Sequence, residues 1–489
     1  MSTTIHTNHL NQHNKVNYVF RGVYILKCVL ILLCILQAPL PPPKWDGVYD
    51  AVNENTRCPQ RMIGSLVLGE QDCLKLNVYA PVRSNRLLPV MVYIHGGCFF
   101  EGTGSSFLYG GDYFVSEEVI FVGVSYRLNI EGFLCLGIKE APGNAGLKDQ
   151  IAALKWVKEN IKSFGGDPDN VTLFGESAGA VSTSFLILSP LANGLFHRAI
   201  LQSGATVAPW AMQHDPIGTA SSLAKVLGYN TKDPHQLYEI FKNSTFDELI
   251  NARASTHRSH SITSELLFVP CVERHIPGVD AVITEYPTDV IKSKNYNRMP
   301  MIIGFNDNEG IYFVSQDYGT SFNEVDVAQT LQPDLEFKSN NDKMQISNEI
   351  EKYYFTNKSD KVQSMIDLYS DLHFKYPSVI ESSLYSRHTD EPIYFYLFKY
   401  NGFINMPKII SLFYHRGGAS HADELFYMFK PHSFPLPHRF LEHGMIKRMV
   451  TMWTNFAKYG YVAIQSISIN ARHSIRSDVY GGRRGKQPI

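Results

Sequence analysis

The sequence carries almost no net charge: 45 Lys and Arg stand against 46 Asp and Glu, a formal −1 over 489 residues. So balanced a chain gives no reason to expect a nucleic-acid or anionic-membrane partner. It has no C-x-x-C and no H-E-x-x-H, which leaves a metal site unsupported, and it shows no internal repeat and no long low-complexity tract. The apolar run Cys28 to Leu36 is nine residues, too short to span a bilayer comfortably. Preceded by Lys15, Arg21 and Lys27 and followed by Gln37 and Ala38, it has the make-up of a signal-peptide core, although it lies deep in the chain for one. His6, His9 and His13 sit in a polar, Asn-rich tail and read as solvated side chains.

What is present supports a globular α/β protein. With 44% hydrophobic and 12% aromatic residues the chain can bury a large core as one big domain or as two. Cysteines number seven, an odd count. Cys58 and Cys73 bracket a loop of 16 residues; a bridge there contributes about 3 kcal/mol through loop-closure entropy and implies an oxidising compartment. Two buried free thiols are the alternative. The sequons at Asn243 and Asn357 agree with secretion.

The organising stretch is Val171-Thr-Leu-Phe-Gly-Glu-Ser-Ala-Gly-Ala180. A bare G-x-S-x-G arises by chance in roughly one chain in six of this length, so context must decide its meaning. Val171 to Phe174 is a β-prone apolar run suited to a buried strand, and Gly175 and Gly179 flank Ser177. An abrupt turn from strand to helix brings those flanking positions against neighbouring backbone, where a Cβ would clash. Such a turn exposes the Ser177 hydroxyl above the sheet and aims free helix N–H groups, that of Ala178 among them, at a reacting carbonyl.

Further strands are expected at Leu74 to Tyr79, Val90 to Ile94, Val119 to Val124, Ala199 to Gln202 and Met299 to Phe305. A long amphipathic helix is expected over Asn144 to Gly166, with Leu147, Ile151, Leu154, Val157 and Ile161 on one stripe, and a last one around Ile446 to Ala457. This alternation predicts a large, mostly parallel sheet covered by helices on both faces. In Ile94-His-Gly-Gly-Cys-Phe99, paired glycines after a buried strand let successive N–H groups turn towards one point, as an oxyanion hole requires. Asn306-Asp-Asn-Glu-Gly310 stands just past the Met299 strand, where ligands gather in open α/β sheets, and Gly417-Gly-Ala-Ser-His-Ala-Asp-Glu-Leu425 places His421 among small residues. Ser177, Glu309 and His421 thus follow the chain order of the α/β-hydrolase triad.

With Gln71-Asp-Cys-Leu-Lys-Leu-Asn-Val-Tyr79, Asn144-Ala-Gly-Leu-Lys-Asp149, Phe164 through Ala180 and Trp453-Thr-Asn-Phe-Ala457 added to those motifs, the chain closely resembles the carboxylesterase/cholinesterase family of α/β-hydrolases. The resemblance runs over residues 38–458, leaving 1–37 as a poorly matching N-terminal segment and 459–489 as a divergent tail. It implies the α/β-hydrolase fold, Ser177 as nucleophile, His421 as general base and Glu309 as the acid that orients it, with Asp307 the nearest competitor. It implies oxyanion donors at Gly97, Cys98 and Ala178, a substrate pocket touched by Phe99 and Trp210, and a Cys58–Cys73 disulfide. For Cys98, only the backbone N–H is expected to matter.

The implied activity is hydrolysis of a small-molecule carboxylic ester through an acyl-enzyme, with no cofactor and with oligomeric state left open. With a reference histidine pKa of about 6.5, activity is expected to fall below about pH 6. The loop between Cys58 and Cys73 lacks the tryptophan that binds choline in the family, which points to a general esterase. Juvenile hormone esterases usually carry glutamine where this chain has Glu176, so that activity ranks second, and a non-catalytic binding or scavenging member of the same fold is the rival from another class. Secretion is the expected localisation, a cytosolic or membrane-associated protein the alternative.

Overall fold

The computed structural model describes residues 18–24, 36–41, 46–47, 51–61, 66–82, 84–252, 268–317, 327–331, 335, 337–356, 359–433, 436 and 439–462. His6, His9, His13, Asn357 and the apolar run except its last residue, Leu36, lie outside them.

Eight strands, β1 (Tyr18–Tyr24), β2 (Lys75–Ala80), β3 (Leu88–Ile94), β4 (Ile120–Val124), β5 (Gly166–Glu176), β6 (Arg198–Gln202), β7 (Met301–Asn306) and β8 (Ile393–Phe398), form one sheet in the order β1-β2-β4-β3-β5-β6-β7-β8. Every neighbouring pair from β4 to β8 is parallel, and β1 and β2 are the antiparallel edge. The helices that position the site are α1 (Ala145–Asn160), α2 (Ala178–Leu188), α3 (Gly310–Asp317), α4 (Lys361–Ser370), α5 (Tyr376–His388), α6 (Met406–Ile410) and α7 (His443–Tyr459).

The central strands are apolar at almost every position because both faces are covered. Val90, Val92 and Ile94 of β3 enter the core on one side, where Leu147, Ile151, Leu154 and Val157 of α1 also pack, whereas Met91 and Tyr93 enter the core on the other, against Met449, Val450, Trp453 and Phe456 of α7. The two-residue period of the strand thus builds two cores from one stretch.

Three features depart from the sequence reading. The helix expected to reach Gly166 stops at Asn160 and tightens into a 3₁₀ turn, Ile161–Phe164, which Gly165 ends at φ 84°, so Gly166 already belongs to β5. Tyr18–Tyr24, inside the poorly matching segment, pairs antiparallel with β2. A second disulfide, Cys135–Cys271, joins the Cys58–Cys73 bridge, and Cys98 is the free cysteine among the described residues.

Candidate active site

Ser177 stands between β5 and α2 with φ 57° and ψ −123°, a backbone conformation that costs a non-glycine residue on the order of 1–3 kcal/mol and persists where surroundings impose it. Its N–H donates to the Gln202 carbonyl (2.8 Å) at the end of β6. The flanking glycines are required sterically: a Cβ on Gly175 would lie 2.4 Å from the Gly179 backbone, and one on Gly179 would lie 2.0 Å from the Ile94 carbonyl oxygen. The strand-to-helix turn is therefore packed to the atom against β3.

The glycine loop after β3 closes on the same point. A Cβ on Gly96 would stand 3.1 Å from Ser177 Cβ and 2.7 Å from the Glu176 carboxylate. Gly97, Cys98 and Phe99 all have positive φ (104°, 58° and 62°), a sharp reversal bonded back on itself from Phe100 and Glu101 N–H to the Gly97 carbonyl. His95 pins the start of this loop: its Nδ1–H donates to the Gly96 carbonyl (2.8 Å) and its ring stacks on Tyr126. Burial holds His95 down at about 4, so it is neutral and already occupied, and burial with Glu101 and Glu176 pushes the Cys98 thiol up to about 12. No thiolate is available there near neutral pH.

Glu309 lies in the turn between β7 and α3 and is wholly buried. Its Oε2 accepts the Nδ1–H of His421 at 2.6 Å, while Oε1 accepts from Asn306 N–H (2.6 Å) and Ser203 Oγ (2.5 Å). Asp307, the competitor for the acid role, instead accepts the Ala419 N–H at 2.7 Å. The histidine loop is held on both sides of His421: Asn308 N–H donates to the Ala419 carbonyl, Asn306 Nδ2 to the Ser420 carbonyl, and Ser420 N–H to Asp423.

The other ring nitrogen of His421, Nε2, is 3.2 Å from Glu176 Oε1, so the imidazole lies between two carboxylates. Burial, the largest influence, disfavours the imidazolium, yet Glu176, Glu309 and Glu424 together outweigh it and lift His421 to about 9. Glu176 is itself lifted to about 8 by burial, against the pull of His421. The acid limb of any reaction through His421 therefore moves above the pH 6 expected from an unperturbed histidine. Around the ring stand Phe374 (centroids 4.5 Å) and Phe313 (5.2 Å), and Trp210 packs on Phe374 at 5.9 Å while its Nε1–H donates to the His373 carbonyl.

Ser177, Glu309, His421, Gly97, Cys98 and Ala178 are thus gathered at the ends of β3, β5 and β7, and Trp210 reaches the same aromatic cluster. Phe99 goes elsewhere: with no exposed surface, it packs edge-on to Phe133 in the core behind the glycine loop. Asn243 is exposed at a helix end, its Nδ2 bonded to the Glu239 carbonyl. Sequence reasoning passed over Ser203, Phe374, Glu424 and the orientation of Glu176. Glu424 accepts from Gln202 and Asn306, tying the histidine loop to β6 and β7.

Comparisons with known proteins give the family of the chain. A sequence model of the carboxylesterase family matches residues 36–471. Juvenile hormone esterase of Heliothis virescens is 31% identical over 420 residues, covering 81% of this chain and 72% of that protein. Bile salt-activated lipase of Mus musculus is 32% identical over 459 residues, covering 87% and 72%. Among solved structures, juvenile hormone esterase from Manduca sexta superposes with a TM-score of 0.82 at 30% identity, covering 91% of this chain and 87% of that one.

Proposed function

The chain belongs to the carboxylesterase family and is a carboxylic ester hydrolase; from that premise we propose how its own residues carry the reaction. Ser177 Oγ attacks the ester carbonyl as His421 Nε2 takes its proton, and the N–H groups of Gly97, Cys98 and Ala178 hold the oxyanion that forms. Collapse of the tetrahedral intermediate breaks the ester bond, and His421 returns the proton to the departing alcohol. Water repeats the sequence on the acyl-enzyme. Glu309 holds the Nδ1–H and stabilises the imidazolium. In the resting site Nε2 must be unprotonated to serve as base.

The observation that carries the reading is the 2.6 Å contact from Glu309 to His421 in a site where the Gly96 turn abuts Ser177. Labelling with a fluorophosphonate probe tests it. Stoichiometric modification at Ser177, and at least about a thousandfold loss of phenyl-ester turnover in Ser177→Ala, are expected. A folded protein that resists the probe would favour the non-catalytic binder.

The two disulfides and the exposed sequon at Asn243 support a secreted glycoprotein. No described helix is long and apolar enough to cross a membrane. Juvenile hormone hydrolysis is the second reading, favoured by relatives of that name; Glu176 in place of glutamine keeps it second.

A further inference from the structure

The loop from Ser203 to Trp210 runs directly past the nucleophile: a Cβ on Gly204 would stand 2.3 Å from the Ser177 carbonyl oxygen. Its ends are fixed by the bonds from Ser203 to Glu309 and from Trp210 to His373. Its middle is held by one side chain on α5. Thr206 donates both its N–H (2.5 Å) and its Oγ–H (2.6 Å) to Oε2 of Glu381, and Ser184 of α2 donates to Oε1 at 2.6 Å. The Ser184 hydroxyl also meets the Tyr385 hydroxyl at 3.0 Å.

Glu381 is 1% exposed, and the groups that oppose the cost of its burial are neutral donors: Ser184, Thr206 and the Val207 amide. A buried carboxylate without a cationic partner is an expensive way to fill a helix position that leucine would fill more cheaply. What leucine cannot do is accept several hydrogen bonds at once. Glu381 thereby fixes the loop to α5 and to the helix that begins at the nucleophile.

We propose that Glu381 is a positioning residue that sets the loop from Ala205 to Trp210 beside the nucleophile, and through that loop the preference among acyl chains. The inference rests on Ser177 being the nucleophile. A loop released from its anchor yields to longer acyl chains, whereas the anchored loop resists them.

The test compares kcat/KM per titrated active site for p-nitrophenyl acetate, butyrate and hexanoate. In Glu381→Leu the hexanoate-to-acetate ratio should rise about tenfold, and in Thr206→Val, which removes one donor, about threefold, the scale on which pockets discriminate apolar groups. Glu381→Gln can still accept from Thr206 through its carbonyl and donate to Ser184 through its amide, so it should stay within about twofold of wild type. Unchanged ratios in the leucine and valine variants, with only a lower melting temperature, would overturn the proposal, and Thr206→Val alone decides if the leucine variant does not fold. Wild-type protein that the fluorophosphonate leaves unlabelled would instead remove the premise, and the inference with it.

Discussion

Replacing Glu176 by glutamine keeps the shape of the turn before Ser177 and removes one of the two carboxylates that flank His421. Two unit charges at the observed 3.2 Å attract by about 5 kcal/mol at an effective dielectric of about 20. Desolvation of the pair cancels most of that, and the remainder amounts to about 1–2 pH units on the histidine at about 1.4 kcal/mol per unit. The sign follows from which form is favoured. Glu176 holds the imidazolium and so raises the pKa of His421; its loss lowers that pKa, and the neutral base persists to lower pH. The acid limb of kcat/KM for phenyl acetate, followed by ultraviolet absorbance, should therefore move down by about 1–2 pH units in Glu176→Gln. An acid limb that stays in place or moves up would show that the contact with Glu176 does not govern the histidine.

Glu309→Gln should cost about a thousandfold or more in turnover, since it disturbs the tautomer at Nδ1, whereas Asp307→Asn keeps an acceptor for the Ala419 N–H and should cost little; the reverse pattern would reassign the acid. Cys98→Ala should retain most activity, while Cys98→Pro, which removes an oxyanion donor, should lose about a hundred- to a thousandfold. An alanine variant as inactive as the proline one would give the thiol a role. Non-reducing peptide mapping should recover Cys58 with Cys73 and Cys135 with Cys271. By loop-closure entropy, removing the second bridge should cost more stability than removing the first, about 5 against about 3 kcal/mol, and equal shifts in denaturation midpoint would refute that ordering.

Much of this arrangement is legible in the sequence because its signals are local. Gly175 and Gly179 announce a crowded turn, the Ile94 to Phe99 stretch announces a reversal after a buried strand, and runs such as Val90 to Ile94 declare themselves as central strands. What sequence reading misses depends on where a side chain points or on what the fold brings together from afar. Glu176 adjoins Ser177 in the chain, yet nothing local shows that its carboxylate turns to His421 Nε2. Ser203 meets Glu309, Thr206 meets Glu381, and Cys135 meets Cys271 only through the packing of separate crossovers on the sheet. Phe99 stands next to the oxyanion loop in sequence but turns into the core, because the positive φ values around Cys98 reverse the chain before it. The β8 strand, Ile-Tyr-Phe-Tyr-Leu-Phe, is β-prone throughout and could have been found by propensity alone.

The Cys135–Cys271 bridge also has a meaning in time. Its partners are separated by 136 positions, which a ribosome working at about 5–20 residues per second takes about 7–27 s to traverse. Throughout that interval Cys135 has emerged and its partner has not, while Cys28, Cys34, Cys58, Cys73 and Cys98 have all been made before it. The short bridge between Cys58 and Cys73 can close at once, and its closure withdraws two of the five competitors. Cys98 is among those that remain, and the packing of the glycine loop against the nucleophile turn leaves it only partly exposed, so prompt folding of this region would reduce its competition for Cys135 before Cys271 arrives.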